Sequence, residues 1–283
     1  MARSLGVEYK PVKLTYGEEF DIKTMWHPIV DEWNPIYKDM MEPFNLFKFT
    51  CPRPPISLGS IDRQLFTQCT NVLRVPIKFP GSNIRLPKEL IPIKDELIRL
   101  LQYEYFINPE VVNEFIHVTV DNRVVESGKT HRYGGFHGDG LQGAKFKQKV
   151  KCEHSYVYTN PLATHIALQP FFVAHINEAR YNIFKEFDRQ VKQECLYKLR
   201  DGEVYLIDPY VVHASPIIGI DIPRTFFRMT VSKEELLTPH NTVNPMFEGQ
   251  NYPEGIEVRE FVSSPNTSIP LDFYGITNIG WIQ

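Results

Sequence analysis

His137-Gly-Asp139, inside the run Tyr133-Gly-Gly-Phe-His-Gly-Asp-Gly140, has the spacing of a metal-binding pair. Residues two apart put their side chains on the same face of an extended strand, so an imidazole and a carboxylate would point together. One more ligand completes a face of an octahedron. Of the nine histidines, only His137 has an acidic residue two positions later. Among the downstream histidines, only His213 has an arginine eleven residues on, Arg224, with Arg228 four residues further. Two imidazoles and one carboxylate form the facial triad that suits non-haem Fe(II), leaving the opposite face open for an organic cosubstrate and O2. An arginine beyond the distal ligand offers a permanent, forked cation that can clamp a carboxylate in a half-buried pocket.

Strands must hold such ligands, and the middle of the chain reads as strands. Phe115–Val120, Ser155–Tyr158 and His165–Leu168 are rich in β-branched or aromatic residues. Asp201-Gly202 signals a turn into Glu203–Ile207, which leads on to Val211–His213, and Pro223 precedes another strand at Thr225–Val231. Leu90, Leu97 and Leu101, with Ile93 or Ile98, mark a helix from Leu86-Pro87 to Tyr103. Pro92 is tolerated early in that pattern or moves the helix start a few residues on. Tyr181–Leu199 is also compatible with a helix. The rhythm is not that of a parallel α/β sheet, and the fold class expected is mainly β with flanking helices, an antiparallel sandwich or jelly roll. Residues 86–235 form the expected core. Residues 1–85, irregular and Pro-interrupted, form an N-terminal extension packing on it, and 236–283 a C-terminal extension, one structural domain in all.

His137-Gly-Asp139, the segment Gly202-Glu-Val-Tyr-Leu-Ile-Asp-Pro-Tyr-Val-Val-His213, and Arg224 with Arg228 after it resemble the Fe(II)/2-oxoglutarate-dependent oxygenase superfamily. The resemblance spans roughly Phe115 to Ser232. It implies a double-stranded β-helix (cupin-like) core, with His137, Asp139 and His213 binding Fe(II). It also implies an arginine pairing with the far carboxylate of 2-oxoglutarate. Arg224 has the family spacing, and Arg228, sharing its strand parity, could bind the cosubstrate instead or an acidic group of the substrate. Tyr133 and Gln169 are further candidates for cosubstrate contact, as are Tyr156, Tyr158 and Thr164, which strand parity does not separate. Gln142 lies close enough in sequence to the ligands to touch substrate. The implied reaction is hydroxylation of a substrate with decarboxylation of 2-oxoglutarate to succinate, with no catalytic side chain beyond the metal site.

Plainer readings stand beside these. The glycines around His137 also suit a surface turn in which Asp139 caps backbone amides. Lys145, Lys147, Lys149 and Lys151 alternate at period two and would line one face of a strand. Such a face suits phosphate contacts to a nucleotide or nucleic acid, or guards an exposed sheet edge. A cupin-like protein that binds metal or ligand without turnover is the alternative to an enzyme.

The net charge of -3 gives no global attraction to nucleic acid or anionic membrane, and leaves a small-molecule substrate or a nucleotide as alternatives. No run approaches the ~18 apolar residues of a membrane helix, and Met1–Lys13 has no secretory apolar stretch. The four cysteines include no C-x-x-C pair, which suits a reducing, cytoplasmic setting. No oligomeric state follows from the pattern.

Overall fold

Phe115–Val125 alternates between two chemistries, and that alternation organises the molecule. Ile116, Val118 and Val120 point one way into an apolar core, whereas His117, Thr119 and Asp121 point the other way and are also buried. The computed structural model describes residues 14–21, 44–132, 134–139, 141–142, 145–148, 152–176, 182–235 and 241–247. In chain order its strands are β1 (Glu18–Phe20), β2 (Ile56–Ser60), β3 (Val72–Lys78), β4 (Ile84–Leu86), β5 (Phe115–Val125), β6 (Leu141–Gln142) and β7 (Lys145–Gln148). They continue with β8 (Cys152–Asn160), β9 (His165–Ala167), β10 (Leu196–Lys198), β11 (Glu203–Ile207), β12 (His213–Ala214) and β13 (Ile222–Ser232). The α-helices are α1 (Arg63–Thr67), α2 (Lys94–Ile107) and α3 (Ile183–Gln190). The chain is mainly β, as its texture indicates.

An antiparallel six-stranded sheet in the order β2-β11-β8-β13-β5-β3 forms the centre, beside a three-stranded sheet in the order β10-β9-β12. One face of the large sheet carries Tyr156 and Tyr158 from β8 and Phe227, Met229 and Val231 from β13. These pack with Leu97, Leu100 and Leu101 of α2 in the largest core. Burying each such side chain contributes about 1.5–3 kcal/mol. The other face meets the small sheet through Val157, Tyr205, Ile207 and Phe226 against Ile166 of β9. A third cluster seats Ile183, Phe184 and Phe187 of α3 against Phe49, Phe171 and Tyr210.

Several expected boundaries move for local reasons. Pro92 lies in a 3-10 segment, Lys88–Ile93, and the α-helix starts behind it at Lys94. Only Ile183–Gln190 of the 181–199 stretch is α-helical: Asn182 caps it by accepting from the Phe184 amide, and the chain after Val191 leads into β10. The segment before residue 82 is not irregular throughout, because β2 and β3 form the two edges of the main sheet. Pro76 misled there. It sits on an edge strand at a register irregularity, where a missing amide is tolerated. The outer edge of β3 is covered in turn: Thr242 exchanges two hydrogen bonds with the Leu73 main chain, and Asn244 donates to the carbonyls of Pro76 and Arg85. None of the described helices is long and apolar enough to cross a membrane.

Candidate metal centre

His137 and His213 come from distant segments and meet as an isolated antiparallel bridge. Each amide donates to the other's carbonyl, at 3.0 and 2.9 Å, which holds the two imidazoles side by side with centroids 4.4 Å apart. Each ring is then turned by its own main chain. His137 Nδ1 lies 2.9 Å from the Gly135 carbonyl and His213 Nδ1 lies 2.9 Å from the Val211 carbonyl. A carbonyl only accepts, so both Nδ1 atoms carry the proton and both Nε2 atoms present lone pairs, the orientation that ligating histidines use. Just before His137, Gly134 passes against Thr130, where a Cβ would sit 2.8 Å from Thr130 Cγ2.

Asp139 completes the group. Ligand atoms from His137, Asp139 and His213 all lie within 4.8 Å of one another. Arg228 Nη1 donates to Asp139 Oδ1 at 3.0 Å, whereas Oδ2 is buried with no hydrogen-bond partner. Burial alone would raise the carboxyl, but Arg228 beside it, with His213 and His137, holds it below the usual carboxylate range. Burial first, then His213, pushes the His137 pKa down to about 3, so this imidazole is neutral near pH 7. Two imidazole nitrogens and one carboxylate make a donor set fitted to a divalent first-row ion.

Around this group the interior face of β5 and β13 is rich in guanidinium. Asp121 Oδ2 accepts from Arg123 Nη2 at 2.5 Å and from Arg132 Nη1 at 3.3 Å, and lies 3.2 Å from His131 Nε2. Arg224, 1% exposed, donates Nε to the carbonyls of Pro161 and Leu162 and Nη2 to Leu162, while its Nη1 is buried with no partner.

Two histidines of this face bear on stability. Burial, then Arg74, pushes His117 down to about 3, and burial pushes His131 down to about 4 against the pull of Asp121. Both take up protons in the unfolded chain at their ordinary value of 6.5. Below that pH the unfolded state binds more protons, so stability falls as pH falls, by up to about 1.4 kcal/mol per unit for each histidine. The expected result is a Tm that declines steadily from pH 6.5 to 4, with a shallower slope in His117→Gln. An unchanged slope in that variant would place the proton uptake elsewhere.

The other expected site residues are placed as follows. Gln169 donates from Nε2 to the Gln190 carbonyl and accepts on Oε1 from the Lys192 amide, both at 2.7 Å, so its amide ties the chain after β9 to the end of α3. Tyr156 and Tyr158 belong to the opposite face of the sheet, packed with α2. Gln142, Lys145 and Lys147 lie in the β6–β7 hairpin that follows Asp139 in the chain. Tyr133, Lys149 and Lys151 lie outside the described residues. Asp121, Arg123, His131 and Arg132 were not singled out by spacing, and a charged Asp-Asn-Arg run continuing a β-branched strand was the available signal.

No protein-family model matches the chain, and no curated protein matches it. Among solved structures it is similar to AviO1 from Streptomyces viridochromogenes Tue57, at 8% identity and TM-score 0.36, over 68% of this chain and 94% of that one. It is similar to the non-heme monooxygenase ThoJ in a nickel complex, at 15% identity and TM-score 0.30, over 54% of this chain and 55% of that one. Apo ThoJ, also a non-heme monooxygenase, gives 12% identity and TM-score 0.35, over 68% of this chain and 76% of that one. These are distant, partial overlaps, and the functional reading is carried by the site's own geometry.

Proposed function

We propose that this chain is an Fe(II)- and 2-oxoglutarate-dependent oxygenase that hydroxylates a small organic substrate. The observation that carries the reading is the convergence of His137, Asp139 and His213, with both imidazoles turned by carbonyls so that Nε2 faces outward to an ion. Three protein donors leave an octahedral ion with open positions, which a closed structural site would not have. The bound ion and cosubstrate supply the O2 chemistry, so that substrate C–H, O2 and 2-oxoglutarate become C–OH, succinate and CO2.

The chain's own residues position and shield. Arg228 fixes the Asp139 carboxylate through Oδ1, which lies 3.9 Å from His213 Nε2, and leaves Oδ2 without a hydrogen-bond partner. The edge of Phe184, 5.7 Å from the His137 ring, covers one side of the ligands with apolar surface. Arg224 lies four residues from Arg228 on the same strand face, about 13 Å along the strand. Its buried, unpartnered Nη1 suits the far carboxylate of 2-oxoglutarate, while its other nitrogens are anchored to the 161–162 turn.

Anaerobic addition of Fe(II) and 2-oxoglutarate tests this reading through the weak visible charge-transfer absorption of a chelated 2-oxo acid. Wild type should develop the band, His137→Ala should not, and Arg224→Gln should need more cosubstrate to reach it. A well-folded, metal-loaded wild type without the band would sink the 2-oxoglutarate reading and leave a metal-binding scaffold.

A further inference from the structure

Next to the metal-site residues, the half-buried polar face of β5 and β13 carries, among the described residues, more guanidinium groups than carboxylates. Arg123 and Arg132 both turn to one oxygen of Asp121, and the other oxygen, Oδ1, is buried with no partner. Arg132 is the less committed of the two. Its bond to Asp121 is long, at 3.3 Å, and its guanidinium lies over the Phe226 ring at 5.0 Å. Burial, then the charges of Arg228, Arg123 and Arg74, pulls its pKa down to about 10 in spite of Asp121. His117 and His131 are neutral near pH 7 and add no charge.

Among the described residues, then, the guanidinium groups of Arg123, Arg132 and Arg228 face the two carboxylates Asp121 and Asp139, and Asp139 also belongs to the group that could hold an ion. The field of Arg74 adds to the same side. Loading the site with a divalent ion and a doubly charged 2-oxo acid leaves that excess in place, because the two charges cancel. Like charges held together in a half-buried cluster repel more than in open water, and an entering anion relieves the repulsion while gaining forked hydrogen bonds. An uncharged substrate would leave the repulsion intact.

We propose that the substrate is an organic anion whose carboxylate or phosphate is clamped by Arg132 together with the neighbouring arginines of the β5–β13 face, which sets its reacting end beside the metal. The word substrate rests on the oxygenase reading; the anion site does not.

The test uses the full chain loaded with Ni(II), which binds without turnover, and saturated with 2-oxoglutarate. It is titrated calorimetrically with methylphosphonate and, separately, with acetate at constant ionic strength. Wild type should bind, and the tighter of the two probes names the acid class. Arg132→Gln should weaken that binding roughly tenfold to a hundredfold, the range expected for losing a charge-assisted bond. Arg132→Lys, which keeps the charge, should recover part of it. Neither variant should change the 2-oxoglutarate band with Fe(II). Arg123→Gln serves as the second variant if Arg132→Gln fails to fold. Equal binding in wild type and Arg132→Gln, or no binding to wild type, overturns the proposal. If the band never forms yet metal-loaded wild type binds the probe through Arg132, the oxygenase reading falls and the anion site stands.

Discussion

His213→Ala should lose its metal and, with it, more than about a hundredfold of any O2-dependent turnover, beyond the cost of removing a mere supporting residue at such a site. Only His137 and Asp139 would be left, and Arg228 would hold the Asp139 carboxylate as a plain ion pair. The fold should survive, because the His137–His213 bridge is made by amides and carbonyls that alanine keeps. Metal content after dialysis, measured by mass spectrometry beside the Tm of the metal-free protein, separates the two effects. Full metal occupancy in a folded His213→Ala protein would show that the ion sits elsewhere.

Glu104→Ala should be the most destabilising single change in the described core and should leave the metal site alone. Glu104 lies on α2, fully buried, and its carboxylate accepts from His154 Nδ1 at 2.7 Å, Tyr156 OH at 2.5 Å and Asn108 Nδ2 at 2.9 Å. Burial would raise its pKa, but His154, then Tyr156 and Asn108, hold it below the usual value. Alanine strands His154 Nδ1 and the Tyr156 hydroxyl, while Asn108 keeps only its bond to Glu114, at a cost of about 3–5 kcal/mol. For a chain of this size that corresponds to a Tm lower by on the order of 10 °C. Tyr156 faces α2 and not the ligands, so metal binding per folded molecule should be unchanged. A loss of a degree or two would mean that water or rearranged partners satisfy the network.

The grouping of His137, Asp139 and His213 was legible because its signal is local. One His-x-Asp pair, one later histidine and an arginine at family spacing need no knowledge of tertiary structure. The local conformation differs from the simplest picture, since His137 lies in an isolated bridge and Asp139 in a turn rather than along a strand. What escaped was residues whose meaning depends on which face of the sheet is which. β5 reads as a strand to Val120, then seems to stop at Asp121-Asn122-Arg123, yet it runs on to Val125 with Asp121 and Arg123 on the buried polar side. Strand parity did not separate Tyr156 and Tyr158 from Thr164 and Gln169, and it is α2 covering one side of the sheet that turns the two tyrosines away from the site. Glu104 did leave a mark: it follows Leu97 and Leu101 at helical spacing, an acid on an apolar stripe, and such a residue must find buried partners.

The bridge between His137 and His213 bears finally on which ion the protein carries. The two imidazoles are aligned when the chain folds, so little reorganisation is left for the ion to drive. A preformed jaw of two nitrogens and one oxygen follows the general affinity order, holding nickel, copper or zinc more tightly than ferrous iron. On the oxygenase reading proposed above, loading with iron would then be a property of the cell's supply rather than of the pocket. On that same reading, protein prepared in a medium poor in iron would arrive mismetallated, folded and silent, and stripping followed by anaerobic reloading with Fe(II) would restore it.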